Sequence, residues 1–250
     1  MPWLAGLTPR AGVLEALCFW RLQARVRLRE EQWQGAPPPR AEGVFRLGFA
    51  GKSGARSSLP ARRGNQARML RIIGGVWRGR KWRFPEGADI RPTPDRVRET
   101  LFNWLGGRVQ GARCLDLFAG SGALGLEALS RGASHVSFVD SSEAAVRELR
   151  LRLAEWQAAG ARVERSDALA FLDGRGQPFD IVFLDPPFAA GLLAQAATRL
   201  NQHGWLKPGA LVYLECAAAD ALPALPASWQ PLRAKRAGEV GYHLLALPGA

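Results

Sequence analysis

The chain of 250 residues has few cysteines, no long apolar run and fewer acidic than basic residues. Its three cysteines, Cys18, Cys114 and Cys216, lack the even count and close spacing of a disulfide or zinc framework. We therefore expect a reducing cytosol, a cytoplasmic location and no metal site. No apolar run reaches about 18 residues, which predicts no transmembrane helix and no membrane partner. With 47% hydrophobic and 22% charged residues, the composition excludes a wholly disordered or collagen-like chain.

The excess of positive charge is concentrated at the start of the chain. Residues 1–68 hold 12 Lys/Arg against 4 Asp/Glu, and residues 69–108 hold 9 against 4, whereas residues 109–250 hold 13 against 14. Strong positive fields attract polyanions and bind them through counterion release. The distribution favours a phosphate-rich partner such as nucleic acid, and the alternative is a basic tail that only aids solubility.

Residues 1–68 lack the pattern of a folded domain. Three consecutive prolines, from Pro37 to Pro39, precede a stretch rich in Gly, Ser and Arg between Gly48 and Gly64. Such a composition is typical of a flexible linker. We expect residues 1–68 to be a disordered basic extension, or to precede a true start of translation near Met69.

Residues 69–108 predict a small basic hairpin followed by a helix. Glycines turn the chain between Arg71 and Trp82. Thr93 and Pro94 predict the start of the helix, with Thr93 as the N-cap. Apolar residues at i, i+4 and i+8 predict the helix face that packs on the body: Val97, Leu101 and Leu105. Arg91, Arg96, Arg98 and Asn103 lie off this stripe, which leaves them free to face a ligand.

Residues 109–250 alternate short apolar strands with helices, which predicts an α/β fold with a doubly wound, mostly parallel sheet of seven strands. Two of these strands, Leu232–Lys235 and Val240–Leu247, are expected to form a C-terminal antiparallel hairpin around Gly238. Ligands of such sheets bind beyond the carboxyl ends of the strands. The candidate site residues fall at those ends.

A glycine-rich loop follows the first strand of this body. Gly120, Gly122 and Gly125 have the spacing G-x-G-x-x-G, and Asp140 lies 20 residues after Gly120, where an acid binds the ribose of a dinucleotide. Glycines allow a close approach of the backbone to a ligand, and the helix N-terminus favours a negative group. The loop alone does not separate a nicotinamide site from an S-adenosylmethionine site, because both ligands contain adenosine.

The fourth strand of the body ends in Asp185, Pro186, Pro187 and Phe188. The two prolines lack backbone donors and leave carbonyl oxygens free. Asp185 and the Pro186 carbonyl are predicted to accept hydrogen bonds from a planar exocyclic amine, with Phe188 stacked on its ring for about 1–3 kcal/mol. The sequence leaves open whether Asp185, with an ordinary carboxylate pKa of about 3.9, also removes a proton.

Together, Asp-Leu-Phe-Ala-Gly-Ser-Gly from Asp116 and Asp-Pro-Pro-Phe from Asp185 resemble the class I, Rossmann-like S-adenosylmethionine-dependent methyltransferases that act on amino groups of bases. Arg-Ile-Ile-Gly-Gly from Arg71 and Asp-Arg-Val-Arg-Glu-Thr from Asp95 narrow the resemblance to the RsmD family, over about residues 69–248. This resemblance implies methylation of the N2 amine of one guanine in bacterial 16S ribosomal RNA, with S-adenosyl-L-methionine as cofactor. It also implies the small ribosomal subunit or its precursor as partner. No pattern indicates an obligate oligomer, and a monomer is expected.

The resemblance implies three groups of site residues. One group lines the cofactor, with Asp116, Gly120 and Gly122 at its methionine end, Asp140 at the ribose, and Asp167 and Ala168 at the adenine edge; Phe118, Ala119, Ser121 and Ser141 complete it. A second group grips the guanine: Asp185, Pro186, Pro187 and Phe188. The third group holds RNA: Arg71, Arg78, Arg80, Lys81, Arg91, Arg96 and Arg98. The resemblance also implies that the hairpin and helix of residues 69–108 help close the site over RNA and cofactor.

Three other functions share part of this pattern. A DNA adenine-N6 methyltransferase also uses Asp-Pro-Pro-aromatic, but the 65 positions from Gly120 to Asp185 leave no room for an inserted DNA-reading domain. A catalytically inactive, RNA-binding ribosome assembly factor would not need an intact Asp-Pro-Pro-Phe. A nicotinamide oxidoreductase fits the glycine loop and explains neither the proline pair nor the basic segment before it.

Overall fold

The computed structural model describes residues 68–84, 93–187 and 191–249. Predictions for residues 1–67, for Arg91 and for Phe188 lie outside the described residues. Within the described ranges the chain forms nine strands, five α-helices and one 3-10 helix. In that part of the chain no helix has the length and apolar character needed to cross a membrane.

The basic segment forms an antiparallel hairpin followed by a helix, as predicted. Strand β1 (Arg68–Arg71) pairs with β2 (Lys81–Phe84), and helix α1 (Asp95–Leu105) leads into a 3-10 helix (Gly106–Val109). The prediction of Thr93 as N-cap is wrong, because Pro94 holds the cap position and no side chain caps the helix. The Thr93 hydroxyl bonds to a distant side chain instead.

The body is a seven-stranded, mostly parallel sheet with helices on both faces. Its strand order is β5-β4-β3-β6-β7-β9-β8, with β3 to β7 parallel and β9 antiparallel to both β7 and β8. The predicted doubly wound sheet and its C-terminal antiparallel hairpin are confirmed. The strands are β3 (Arg113–Asp116), β4 (His135–Asp140), β5 (Ala161–Arg165), β6 (Phe179–Leu184), β7 (Leu206–Ala217), β8 (Gln230–Ala237) and β9 (Val240–Ala246). The helices are α2 (Ala123–Ser130), α3 (Glu143–Glu155), α4 (Ala168–Leu172) and α5 (Leu192–Gln202).

Alternate residues of the central strands contribute their side chains to two apolar cores, one on each face of the sheet. On β3, Cys114 belongs to the core formed with the hairpin and α1 to α3, whereas Leu115 belongs to the core formed with α4 and α5. Trp82 of the hairpin and Leu101 of α1 are both buried in the first of these cores. The basic segment therefore packs on the body through its apolar stripe.

A buried carboxylate holds the turn after β1 against α2. Both oxygens of Glu127 accept backbone N–H bonds, from Ile73 and Gly74, each at 2.8 Å. The guanidinium of Arg131 completes the arrangement with a 2.7 Å ion pair to Glu127. Because the loop after β1 supplies these donors, the hairpin is fixed to the helix that follows the glycine loop.

Arg98 stabilises the same junction from inside, which makes its predicted contact with RNA wrong. Its side chain has no exposed surface. It donates to the Arg71 carbonyl at 2.8 Å and to Asp95 at 2.6 Å, and it lies 3.8 Å from Glu127. A guanidinium enclosed in this way is an internal counter-charge and offers nothing to a phosphate.

Close packing of α2 on the sheet gives a test of this arrangement. A Cβ atom on Gly125 would lie 2.2 Å from the ring of Phe138, whereas one on Gly107 would meet no atom within 4 Å. We expect Gly125→Ala to lower the free energy of unfolding by about 1–3 kcal/mol, as overpacking does. Gly107→Ala, the matched control, should change it by less than about 0.5 kcal/mol. Denaturant titration of both variants measures this, and equal effects would contradict the packing described.

Candidate functional site

Four carboxylates stand at the carboxyl ends of four adjacent parallel strands. In sheet order they are Asp140 of β4, Asp116 of β3, Asp185 directly after β6, and Glu215 near the end of β7. We call them the carboxylate row. The pairing of Leu184 with Leu214 makes Asp185 and Glu215 next in register on neighbouring strands. The sheet thus gathers acids that are far apart in sequence along one edge.

Neutral donors hold each member of the row. Asp140 accepts from the N–H groups of Gly120 at 2.7 Å and Ser142 at 2.8 Å, and Asp116 accepts from that of Gly125 at 2.9 Å. Hydroxyl groups serve the other two acids: Thr93 donates to Asp185 at 3.3 Å and Tyr213 donates to Glu215 at 2.7 Å. Within the described ranges no Lys, Arg or His lies within 4.0 Å of any of these carboxylates.

The row is consequently short of positive charge, and the pKa values of its buried members rise. Burial, together with the charge of Asp140, raises the pKa of Asp116 to about 7 against the N–H bond from Gly125. Burial and the neighbouring charge of Glu215 raise the pKa of Asp185 well above its usual range, and burial also raises the pKa of Glu215. The expectation of an ordinary pKa for Asp185 is wrong, because the sequence did not show its neighbour.

The glycine loop lies directly beside Asp140. Gly122 precedes α2 with φ of 76°, and a Cβ there would lie 2.3 Å from Leu149, so the loop requires glycine at this position. The indole N–H of Trp82 donates to the Ser121 carbonyl at 3.3 Å, which links the loop to the basic hairpin. Within the loop, Ala119, Gly120 and Ser121 are buried, and Phe118 is partly exposed.

Asp167 follows β5 and caps α4. Its carboxylate accepts from the N–H groups of Leu169 at 2.9 Å and Ala170 at 3.0 Å. Ala168, the first residue of the helix, has an N–H group without an acceptor inside the helix. Because Ser166 donates its N–H to the carbonyl of Asp140, this cap lies next to the carboxylate row. Ser141, which was predicted to line the cofactor, directly follows Asp140 and is exposed.

Of the four residues predicted to bind an amine, the structure describes Asp185, Pro186 and Pro187, directly after β6. Asp185 is partly buried, Pro186 is buried and Pro187 is exposed. The carbonyl of Pro186 accepts no hydrogen bond from the described residues. The Asp185 carboxylate and this carbonyl therefore remain two acceptors that follow one another in the chain.

Sequence reasoning missed Glu215, Tyr213 and the role of Thr93. The apolar run that ends at Glu215 has the same form as the run that ends at Asp185, an acid directly after buried strand residues, and that pattern was the available signal. No sequence signal pairs Thr93 with Asp185, since 92 positions separate them. Their contact depends on how α1 packs against β6.

Exposed basic side chains cover the hairpin and the start of α1. They are Arg71, Arg78, Arg80, Lys81 and Arg96, all predicted, and Arg83, which was not. The guanidinium of Arg80 lies over the ring of Trp156 with 5.6 Å to its centre. Apart from the ion pair of Arg71 with Asp95, which is largely exposed, no carboxylate of the described residues neutralises this surface.

The acids of the row do not converge on one point. Among the described residues, no group of three or more His, Cys, Asp or Glu side chains is arranged to hold a metal ion. The row thus presents separate acceptors along the edge of the sheet. Such an arrangement suits an extended ligand with several polar groups and positive charge.

Comparisons with known proteins identify what this arrangement resembles. A family model described as "Conserved hypothetical protein 95" matches residues 70–246. The chain is 50% identical over 176 residues to ribosomal RNA small subunit methyltransferase D of Escherichia coli K12, covering 70% of this chain and 89% of that protein. It is 44% identical over 179 residues to the Haemophilus influenzae protein of the same name, covering 70% and 92%. The solved structure of the putative methyltransferase YhhF from Escherichia coli superposes with a TM-score of 0.69 at 49% identity, covering 73% of this chain and 99% of that one.

The raised pKa of Asp116 predicts a pH dependence of stability in the ligand-free protein. Below about pH 4 the side chain of Asp116 is protonated in both the folded and the unfolded state. Between about pH 4 and 7 only the folded state keeps this proton. The free energy of unfolding therefore falls as the pH rises through this range. We expect Asp116→Asn to remove this loss, raising the free energy of unfolding at pH 8 relative to the wild type by at most roughly 4 kcal/mol.

Asp180→Asn is the matched control, with the opposite sign. Burial on its own would raise the pKa of Asp180, but the hydrogen bond from Lys207 outweighs it, and the pKa lies below its usual value. This variant should be less stable than the wild type at pH 7, and the difference should shrink as the pH falls. Urea titrations at several pH values measure both effects, and an Asp116→Asn variant that tracks the wild type throughout contradicts the assignment.

Proposed function

The chain belongs to the RsmD family of ribosomal RNA small subunit methyltransferases, and we propose that the carboxylate row is its active site. The protein is a class I, S-adenosylmethionine-dependent methyltransferase that modifies the N2 amine of a guanine in 16S ribosomal RNA. The observation that carries the assignment of the site is the position of Asp185 at the end of β6, next to β3, which leads into the glycine loop, in the same row as Asp140 at the carboxyl edge of the sheet.

The row and the glycine loop fit S-adenosylmethionine. This molecule supplies a methyl group on a sulfonium and also carries an ammonium group, so its positive charges offset those of the row. The ribose hydroxyls are proposed to bond to Asp140, and the adenine edge to Asp167 and the N–H group of Ala168. Asp116, Gly120 and Gly122 would line the methionine end.

Asp185 and the carbonyl of Pro186 are proposed to accept both N–H bonds of the guanine N2 amine. The lone pair of this nitrogen is delocalised into the base, and hydrogen bonds at its protons localise the pair and increase its nucleophilicity. Holding the amine in line with the methyl group can contribute about 7–11 kcal/mol to lowering the barrier. Phe188 is proposed to stack on the base.

The exposed basic surface of the hairpin and α1 is proposed to bind the RNA backbone. The element is too small to read a duplex but suits an RNA already displayed by a folded particle. We propose that a monomer acts in the cytoplasm on the small ribosomal subunit or its precursor. The junction from Trp82 to Ser121 would place bound RNA next to the glycine loop.

Removal of the Asp185 carboxylate tests the assignment of the site. We expect Asp185→Ala to lose methyl transfer by at least about 10²-fold, because the amine loses its acceptor, while affinity for the cofactor stays near that of the wild type. Transfer of label from S-adenosylmethionine to small subunits, naked 16S RNA and DNA measures the activity, and calorimetry measures the affinity. Loss of both together would assign Asp185 a structural role, and label in DNA adenine would contradict the substrate.

Charge removal on the hairpin tests the RNA surface. We expect the double variant Arg80→Ala/Lys81→Ala to weaken binding of RNA and to reduce the slope of log K against log salt by about 0.7–0.9 for each phosphate that the variant no longer binds. Arg162→Ala, which removes an exposed arginine of β5, is the control. Filter binding across a salt series measures the slopes, and equal slopes for the two variants would contradict this surface.

A further inference from the structure

The second buried carboxylate of the row has no part in the chemistry described so far. Glu215 is only 3% exposed, and its one hydrogen bond shorter than 3 Å comes from the hydroxyl of Tyr213. Burying an ionised carboxylate without a cation is costly, and a well-packed apolar residue would avoid that cost. The burial of Glu215 without a cation therefore indicates a role for its carboxylate in the active site.

Glu215 lies beside Asp185 in the sheet. Leu184 of β6 pairs with Leu214 of β7, and the strands run parallel, so the next residues, Asp185 and Glu215, are neighbours. The hydroxyl of Thr93 faces both acids: it donates to Asp185 at 3.3 Å, and its hydrogen bonding lowers the pKa of Glu215 against burial. Thr93 is itself 5% exposed and directly precedes Pro94 and α1. A hydroxyl has one proton to donate, and this one goes to Asp185, so the two acids share a neighbouring hydroxyl but only Asp185 receives its proton.

We propose that Glu215 is a positioning residue of the methyl transfer, which acts through Asp185: its charge favours transfer of the amine proton to the Asp185 carboxylate, while the hydroxyl of Thr93 orients that carboxylate. This inference rests on the proposed function, since it concerns the same active site. It gives Glu215 and Thr93 a role in the reaction, and it makes Asp185 the acceptor of the amine proton.

Methyl transfer leaves one surplus proton on the target nitrogen. The N2 lone pair forms a bond to the methyl carbon while the carbon–sulfur bond breaks, and the electron pair of that bond remains on sulfur. The nitrogen then carries a positive charge together with this proton. The proton passes to the carboxylate of Asp185 and leaves to solvent after the methylated base has departed.

No cation of the described residues weakens the effect of Glu215 on Asp185. Asp116 faces Asp185 from β3, and its charge acts in the same direction as that of Glu215. Tyr213 on β7 and Tyr242 on β9 are the neighbouring hydroxyls. Burial and the charge of Glu215 are the main causes that raise the pKa of Asp185, with the hydrogen bond from Thr93 opposing them. Adjacent acids of this kind titrate as a pair.

The pH dependence of turnover by Glu215→Gln tests the proposal. The amide keeps the shape and the acceptor for Tyr213 but removes the charge, so we expect kcat to fall by about tenfold and the acidic limb of its pH profile to move down by about one unit. Affinity for the cofactor should stay within about twofold of the wild type, since no cofactor contact changes. Asp180→Asn, at the opposite end of β6, is the control and should leave kcat and the profile unchanged.

Thr93→Val provides a second test with the opposite sign. Loss of the hydroxyl removes a hydrogen bond to the ionised acid, so the acidic limb should move to higher pH. In the ligand-free protein, the ¹³C signal of the Asp185 carboxyl, identified by its absence from Asp185→Asn, should titrate lower in Glu215→Gln and higher in Thr93→Val. Because this measurement needs no activity, it remains informative if either variant turns over slowly.

The outcomes distinguish failure of the proposed function from failure of the role of Glu215. If the wild type does not methylate small subunits, the proposed function fails. If the wild type is active and Glu215→Gln keeps its kcat and its pH profile, only the role of Glu215 is overturned. A Glu215→Gln variant that loses stability without any change in the titration of Asp185 also overturns it, since Glu215 would then be structural.

Discussion

The organisation of this protein depends on repulsion among like charges that the sheet holds along one edge. Asp140, Asp116, Asp185 and Glu215 end neighbouring strands, and no cation of the described residues pairs with them within 4.0 Å. Backbone N–H groups and two hydroxyls hold them, which limits the cost of burial without neutralising the charge. Burial of apolar side chains in the two cores on either side of the sheet must offset the free energy that it costs to hold these charges together. A positively charged ligand at the glycine loop would relieve the repulsion at Asp140 and Asp116, the two acids that bond to Gly120 and Gly125.

The second constraint is the attachment of the basic hairpin to the glycine loop. Glu127 binds the turn after β1, and Trp82 binds the carbonyl of Ser121. Arg98 supplies an internal positive charge at this junction while the other arginines face outward. The outward-facing arginines of the hairpin are thus held at a fixed distance from the glycine loop. The hairpin belongs to the same apolar core as the sheet.

Much of this arrangement is predictable from local patterns. The alternation of strands and helices gives the doubly wound sheet, and the acid 20 residues after Gly120 lies at the end of the next strand, beside the glycine loop. Contacts between distant elements could not be predicted in this way. The cap predicted at Thr93 failed because its hydroxyl bonds across the fold to Asp185. Arg98 lies off the apolar stripe of α1 and is nevertheless buried, since Glu127 and Asp95 compensate its charge. Glu215 became visible as a partner of Asp185 only when the order of the strands was known.

A structure of the protein with S-adenosylhomocysteine and an RNA fragment that contains the target guanine tests the central claim most directly. The account predicts ribose hydroxyls on the carboxylate of Asp140 and the guanine N2 within about 3 Å of an oxygen of Asp185, with the Pro186 carbonyl as its second acceptor. A ribose bound away from Asp140, or a base whose N2 faces away from Asp185, would contradict it.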